Sequence, residues 1–175
     1  MNDVNRCGWC QDNGMMQKYH DEEWGVPLHD DKKQFEFLMM EAMQCGLSWS
    51  LMLKKRQTFR QCFDDFDYEK IALYNEEKIA EIMNIPDMIK SERKIRAVIH
   101  NAKMFLKIIY DSHRDGQLPA KNELSDEISK DLKKRGFKYL GSITVYSHLQ
   151  ACGIINDHEE KCFRYKAVSY THLRA

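Results

Sequence analysis

Apolar residues recur every three or four positions over most of this chain, the spacing that places them on one face of an α-helix. The pattern predicts helices that begin near Asp30, Ser48, Tyr68, Asn75, Ser91, Leu124 and Ser142. The breaks between these segments contain helix-breaking residues, among them Gly46, Pro86, Gly136 and Gly153. Alternation with a period of two is absent over any useful length. The sequence therefore predicts an all-α fold.

Length and composition narrow the classes of protein that fit this pattern. A chain of 175 residues is long enough for one domain with a sizeable core. We expect a single domain over residues 1–167, because residues 168–175 continue no earlier pattern and resemble a translated cloning scar. A mean hydropathy of −0.64 argues against a membrane span. The first residues have no apolar stretch typical of a secretory signal, so we expect a cytoplasmic protein.

Charge gives no general indication of a partner. The 27 basic and 27 acidic residues leave a formal net charge of zero. A nucleic acid would therefore have to be recognised through local positive patches rather than through the charge of the whole molecule.

Cysteine and histidine residues cluster at the two ends of the chain. Cys7, Cys10 and His20 lie near the start, and His158 and Cys162 lie near the end. Thiolates and imidazoles are the usual ligands of structural zinc, and a metal bound here would join the two termini. Five candidates compete for four positions, and spacing does not say which one is left out.

Cys7 and Cys10 also form a C-x-x-C pair, so a thiol oxidoreductase is an alternative function. Such pairs gain their reactivity at the start of a helix that follows a β-strand. No strand pattern precedes this pair, which favours metal ligation or buried thiols.

The first fifty residues contain candidates for a ring-binding pocket. Trp9, Tyr19, Trp24 and Trp49 could fill the core, or they could stack on a flat ligand. Glu41 lies at the edge of the apolar stripe of its helix, where burial would raise its pKa. Alternatively, Glu41 reaches water or pairs with a lysine such as Lys55.

A basic cluster begins the helix at residue 91. Ser91, Arg93 and Lys94 follow a short connection between two predicted helices. Free backbone N–H groups and positive charge at a helix start suit a phosphate group. A solvated helix face is the simpler explanation.

Several segments, read in order, match a known family. They are RCGW (6–9), YHDEEWGVP (19–27), QCGLSW (44–49), LKKR (53–56), KKRGFK (133–138), QACG (150–153) and NDH (156–158). Over about residues 5–165 the chain resembles the 3-methyladenine DNA glycosylase I enzymes. The resemblance implies an all-α fold of the helix-hairpin-helix DNA glycosylase superfamily, with the hairpin near residues 85–91.

The resemblance also implies a structural zinc ion. The family's ligand positions correspond to Cys7, His20, His158 and Cys162, which leaves Cys10 as the spare cysteine. A closed site with four protein ligands has no open position for activating water.

The implied function is DNA repair: flipping of 3-methyladenine out of alkylated double-stranded DNA and its hydrolytic excision, which leaves an abasic site. We expect a monomer. The family's base pocket corresponds to Tyr19, Glu41 and Trp49, with Trp9 and Trp24 nearby. Glu41 and Tyr19 are the expected catalytic residues, and Glu41 acting as a general base on water is a second hypothesis.

The expected DNA contacts lie in two segments. Gln44, Gly46 and Leu47 correspond to the turn that would fill the gap left by the extruded nucleotide. Ser91, Arg93 and Lys94 are the expected phosphate contacts.

The chain departs from the family pattern in three places. The segment over residues 105–124 is shorter than the corresponding segment in the family. Met16 stands where an aromatic residue is common, and the hairpin that contains Pro86 lacks the usual glycines. These departures leave an alternative function, a zinc-stapled DNA-binding module that has lost excision activity.

Overall fold

The computed structural model describes residues 4–11, 13–112, 124–155 and 158–165. Its helices are α1 (Gly14–Glu22), α2 (Asp31–Gln44), α3 (Trp49–Cys62), α4 (Tyr68–Ile71), α5 (Glu76–Asn84), α6 (Glu92–Ser112), α7 (Leu124–Lys134) and α8 (Ser142–Ala151). Short 3-10 turns lie at Gly8–Cys10 and Asp64–Phe66. No strand occurs within these four ranges, so the all-α prediction is confirmed. None of the described helices is both long and apolar enough to cross a membrane.

Two of the expectations fall partly or wholly outside the described residues. The predicted tail over 168–175 lies outside them, and so do positions 113–123 of the shortened segment.

Capping side chains start several helices where the sequence predicted them. The side chains of Asp30, Ser48 and Asn75 each accept a hydrogen bond from the backbone N–H three residues further on. Each bond satisfies one of the N–H groups that the first turn of a helix leaves without a partner.

Helix α1 is an addition to the sequence prediction, which placed the first helix near Asp30. Its cap is Asn13, whose side chain accepts hydrogen bonds from the N–H groups of Met15 and Met16. This helix carries Tyr19 and His20, both of which are buried. The sequence prediction thus missed a helix that matters for function, because α1 supplies residues to both candidate sites.

Helix α2 lies at the centre of the molecule. Every residue from 35 to 43 is buried, and the helix contacts α3, α6 and α8. A helix that is covered on all sides buries its polar residues as well. Glu36 and Glu41 are consequently both inside the protein.

The two ends of the described chain lie side by side. The Asn5 side chain donates a hydrogen bond to the Lys161 carbonyl at 2.7 Å, and the Phe163 N–H donates to the Asn5 carbonyl at 3.1 Å. Gly153 ends α8 with a φ of +71°, and a Cβ there would lie 2.5 Å from the carbonyl oxygen of Gly25. This close approach, which only glycine permits, holds the end of α8 against the segment after α1.

Candidate active site and metal centre

A cavity of about 360 Å³ lies between α1, α2, α3 and α8. It is lined by Trp9, Met16, Tyr19, Trp24, Glu41, Gln44, Trp49, Ser147 and Gln150. Its volume is in the range of sites that bind small molecules. The structure thus brings together all five residues expected around a base.

Aromatic rings form most of the cavity wall. The ring centroids of Tyr19 and Trp49 are 5.4 Å apart, and those of Trp9 and Trp24 are 5.0 Å apart at an angle of 77°. Tyr19 is buried, whereas Trp9 is 42% exposed. The cavity therefore has a buried inner wall and one aromatic side that faces solvent.

Glu41 is the acidic group of the cavity. It is only 5% exposed, and no hydrogen bond or ion pair joins it to the described residues. Burial raises the pKa of its carboxyl to about 8. The alternative that Glu41 pairs with Lys55 is wrong, because the Lys55 ammonium group pairs with Asp87 instead.

The cavity wall also contains two hydrogen-bond donors. The indole Nε1 of Trp49 is buried without an acceptor among the described residues. Burial, together with the charge of Glu41, raises the pKa of the Tyr19 hydroxyl well above its usual value. The hydroxyl therefore stays protonated at neutral pH and can donate a hydrogen bond.

Cys7, His20, His158 and Cys162 come together into a buried group that could hold a metal ion. Their ligand atoms all lie within 4.8 Å of one another. The Cys162 sulfur lies 3.4 Å from His20 Nε2, and both cysteine sulfurs lie 3.6 Å from His158 Nδ1. Cys10 is outside the group, and its thiol donates to the Cys7 carbonyl.

Neighbouring groups fix the orientation of His20. Its Nδ1 lies 2.9 Å from an Asp21 oxygen, and the Arg6 guanidinium donates to the same carboxylate. Partial burial acts to raise the pKa of Asp21, but the hydrogen bonds from Arg6 and His20 outweigh it and hold the pKa below its usual value. A carboxylate behind a histidine in this way is typical of metal-binding histidines.

The cavity and the Cys/His group share a wall. The Trp24 ring lies 4.4 Å from the His158 ring, and the Trp9 ring lies 5.4 Å from the His20 ring. The group of four residues thus supports the two tryptophans that line the cavity.

The expected DNA-contact segments are adjacent in the fold. Gln44, Gly46 and Leu47 form the turn between α2 and α3, where Gly46 has a φ of +81° that favours glycine. Ser91 lies immediately before α6. The Lys94 ammonium group reaches from α6 to carbonyl groups at the end of α2.

The sequence expectations missed two cavity residues, Ser147 and Gln150 on α8. Both face the cavity beside Glu41. Gln150 falls within the matching segment QACG, which was a signal for it, whereas no pattern singled out Ser147.

The thiol oxidoreductase alternative finds no support in this geometry. Burial raises the pKa of the Cys10 thiol, whereas a reactive thiol needs a lowered pKa. No strand precedes the pair in the described part of the chain.

Fold and site together define a helical protein with an aromatic, acidic pocket beside a Cys₂His₂ group. A family model described as methyladenine glycosylase matches residues 9–165. The chain therefore belongs to the methyladenine glycosylase family.

Individual relatives agree with this assignment. The chain is 38% identical over 182 residues to DNA-3-methyladenine glycosylase 1 of Escherichia coli K12, covering 93% of this chain and 97% of the relative. A crystal structure of 3-methyladenine DNA glycosylase I matches with a TM-score of 0.82 and 38% identity, over 91% of this chain and 98% of that one. The Staphylococcus aureus enzyme, in a structure concerned with 3-methyladenine recognition, matches with a TM-score of 0.82 and 31% identity, over 91% and 96%.

Proposed function

We propose that this protein is a DNA repair glycosylase that removes 3-methyladenine from alkylated double-stranded DNA by hydrolysis and leaves an abasic site. The relatives carry the name of this activity. The observation that carries the proposal is Glu41, a carboxyl group that is 5% exposed in an aromatic cavity.

The chemistry of the substrate explains why such a cavity suits it. Methylation at N3 gives the adenine ring a positive charge while it is attached to the sugar. Aromatic faces attract a flat cation, and a carboxylate adds both charge and hydrogen-bond acceptors. Tyr19 and Trp49 hold the ring, Trp9 and Trp24 enclose it, and Glu41 accepts a hydrogen bond from the exocyclic amine.

Glu41 becomes a better acceptor when a cationic base enters. Burial without a partner raises its pKa to about 8, so the empty site holds the carboxyl largely protonated at neutral pH. A cation beside the carboxyl favours its ionised form and so reverses this effect. A neutral adenine offers no such compensation, which gives selectivity for the alkylated base.

Hydrolysis needs no proton from the protein on the leaving base. The bond between C1′ and the base nitrogen breaks, and its electron pair neutralises the positive charge of the departing 3-methyladenine. The sugar carries oxocarbenium-like charge, which the Glu41 carboxylate stabilises while Tyr19 and Trp49 keep the base in place. Water adds to C1′ and releases a proton, and the product is the abasic sugar.

The four clustered ligands suit a zinc ion. Tetrahedral zinc, with bonds of about 2.3 Å to sulfur and about 2.0–2.1 Å to nitrogen, separates a sulfur and a nitrogen ligand by about 3.6 Å. The sulfur–nitrogen distances of 3.4 and 3.6 Å between Cys7, His20, His158 and Cys162 agree with this value. Zinc would supply a structural link between the two ends of the chain.

Matched cysteine variants test the zinc assignment. We expect one zinc ion per chain in the purified protein and in Cys10→Ser, because the Cys10 thiol only donates to a backbone carbonyl. Cys162→Ser removes a ligand, so zinc content and thermal stability should both fall. Equal zinc content in the two variants would contradict this ligand set.

Release of free 3-methyladenine from alkylated duplex DNA tests the enzymatic function directly. The wild-type chain should release the base, and Glu41→Gln, which keeps the size of the side chain, should lose most of the activity. A folded, zinc-loaded wild type that binds alkylated DNA without release would instead support the DNA-binding module. Equal release by both proteins would remove Glu41 from the mechanism.

A further inference from the structure

Lys94 makes contacts that differ from those of a phosphate-binding lysine. Its ammonium group donates hydrogen bonds to the carbonyl oxygens of Met43 and Cys45, both at 2.7 Å. These carbonyls belong to the last turn and the C-cap of α2, where backbone acceptors have no partner within the helix. A cation there also complements the negative end of the helix dipole. Lys94, on α6, therefore caps a different helix.

The end of α2 that Lys94 holds carries much of the candidate site. Gln44 lines the cavity, and Glu41 lies one turn earlier on the same helix. The Leu47 N–H donates to the Gln44 carbonyl at 2.6 Å and closes the turn expected to enter the DNA. Lys94 consequently links this turn to the start of α6. Its ammonium group lies between the Met43 carbonyl, in α2, and the Cys45 carbonyl, at the C-cap of α2.

The neighbouring basic residues differ in whether their charge is paired within the protein. The Lys90 ammonium group donates to the carbonyls of Met83 and Ile85, so it caps the end of α5. Arg96 pairs with Glu76 and Glu92. Arg93 is exposed and donates through Nε to the neutral hydroxyl of Tyr139 at 2.8 Å. Lys90, Lys94 and Arg96 therefore each have a carboxylate or carbonyl partner, whereas Arg93 has neither among the described residues.

We infer that Lys94 is a positioning residue, which fixes the turn at Gln44–Leu47 relative to the start of α6, and that it does not itself bind phosphate. This inference rests on the proposed glycosylase function. Lys94 then fixes the position of one expected DNA-contacting segment relative to the other. These segments are the start of α6, which would contact the DNA backbone, and the turn, which would enter the duplex. A misplacement of the turn by about 1 Å would disturb the extruded nucleotide and slow excision.

Three variants separate positioning from phosphate binding. Lys94→Met removes the donors and the charge but keeps the length of the side chain. Lys94→Arg keeps the charge, yet its planar guanidinium cannot reproduce a compact ammonium group between two carbonyls. Lys78→Met is the control, because it removes a lysine that pairs with Glu81 on α5 and lies outside the expected DNA contacts.

The measurements are the salt dependence of DNA binding and the single-turnover excision rate at saturating DNA. We expect Lys94→Met to keep the wild-type slope of log Kd against log salt and to excise about 10- to 100-fold more slowly. Lys94→Arg should also be slow. Lys78→Met should excise at the wild-type rate. Binding of free 3-methyladenine should change far less than the excision rate in all three variants, because Tyr19, Glu41 and Trp49 line the cavity outside the turn.

The phosphate-binding alternative predicts different results. Lys94→Met would then lower the salt slope by about one, and Lys94→Arg would restore both slope and rate. That pattern would overturn the inference, and so would loss of free-base binding in Lys94→Met, which would show damage to the cavity. A wild type without excision would refute the proposed function, while the salt slopes would still decide whether Lys94 contacts phosphate.

Discussion

Two glutamates on helix α2 are equally buried and differ completely in their surroundings. Glu36 and Glu41 are each 5% exposed. Glu36 accepts hydrogen bonds from Arg56 at 2.6 Å and from Arg60 at 2.9 Å. Glu41 has no hydrogen bond or ion pair with any residue that the structure describes, and it lines the cavity. Burial alone therefore does not identify a functional carboxyl group.

The difference lies in what compensates the buried charge. Arg56 is itself mostly buried and also pairs with Glu23, so Glu36 belongs to a network complete within the protein. Glu41 has no cationic partner among the described residues, and burial raises its pKa to about 8. An uncompensated carboxyl destabilises the folded protein unless a ligand supplies the missing charge. The cationic base of the proposed function would supply that charge, whereas no described residue does.

The largest expected effect on stability comes from Glu36. Glu36→Gln leaves Arg60 and part of Arg56 without an anionic partner, so we expect a loss of about 3 kcal/mol in the free energy of unfolding. This is the lower end for a broken buried pair, because the amide oxygen still accepts a hydrogen bond. Urea denaturation at pH 7 measures it. A change below about 1 kcal/mol would mean that the network is not a stabilising feature.

Glu41→Gln should show the opposite profile. We expect a 10²- to 10³-fold loss in the single-turnover excision rate, equivalent to about 3–4 kcal/mol of transition-state stabilisation. Glu41→Gln should not destabilise the protein at pH 6, because the neutral amide avoids the cost of ionising a buried carboxyl. Glu36→Gln, measured well below its melting temperature, should keep the wild-type rate. Similar rate losses in the two variants would show that the two glutamates do not differ in function.

The pH dependence of stability tests the burial of the Glu41 carboxyl. The Glu41 pKa is raised from 4.5 to about 8, so the folded state binds more protons than the unfolded state between these values. Stability therefore falls as the pH rises through this interval. Glu41→Gln removes this component, so we expect its stability relative to the wild type to increase by about 2–3 kcal/mol between pH 6 and pH 9. Melting curves at pH 6 and pH 9 would reveal it; a constant difference between the two proteins would contradict the raised pKa.

The features that the sequence predicted correctly depend on interactions between residues that are close in the chain. Ser48 and Asn75 cap their helices with side chains that bond three residues away, so the signal is contained in a few positions. The wheel position of Glu41 indicated a partly desolvated carboxyl. Helix α1 was missed although its cap, Asn13, is a local signal of the same kind.

The features that the sequence could not predict depend on contacts between residues that are far apart in the chain. The partners of Glu36 lie 20 and 24 residues away on another helix. The acceptors of Lys94 lie 51 and 49 residues away, so no local pattern distinguishes it from a phosphate ligand. The Cys/His group spans the chain, and its membership came from family resemblance, since spacing left Cys10 as a fifth candidate.

The smallest effect tests how complete the compensation of Glu36 is. The Arg60 side chain is 36% exposed, whereas that of Arg56 is 13% exposed. Arg60→Met leaves Glu36 paired with Arg56, and water screens the lost pair, so we expect a loss of no more than about 1 kcal/mol. Arg56→Met should cost more, because it removes the buried partner of both Glu36 and Glu23. Denaturation at low and high salt measures both variants, and the Arg60 contribution should shrink as salt is added. If Arg60→Met were as damaging as Glu36→Gln, then Glu36 would depend on a half-exposed cation, and its contrast with Glu41 would be one of degree rather than of kind.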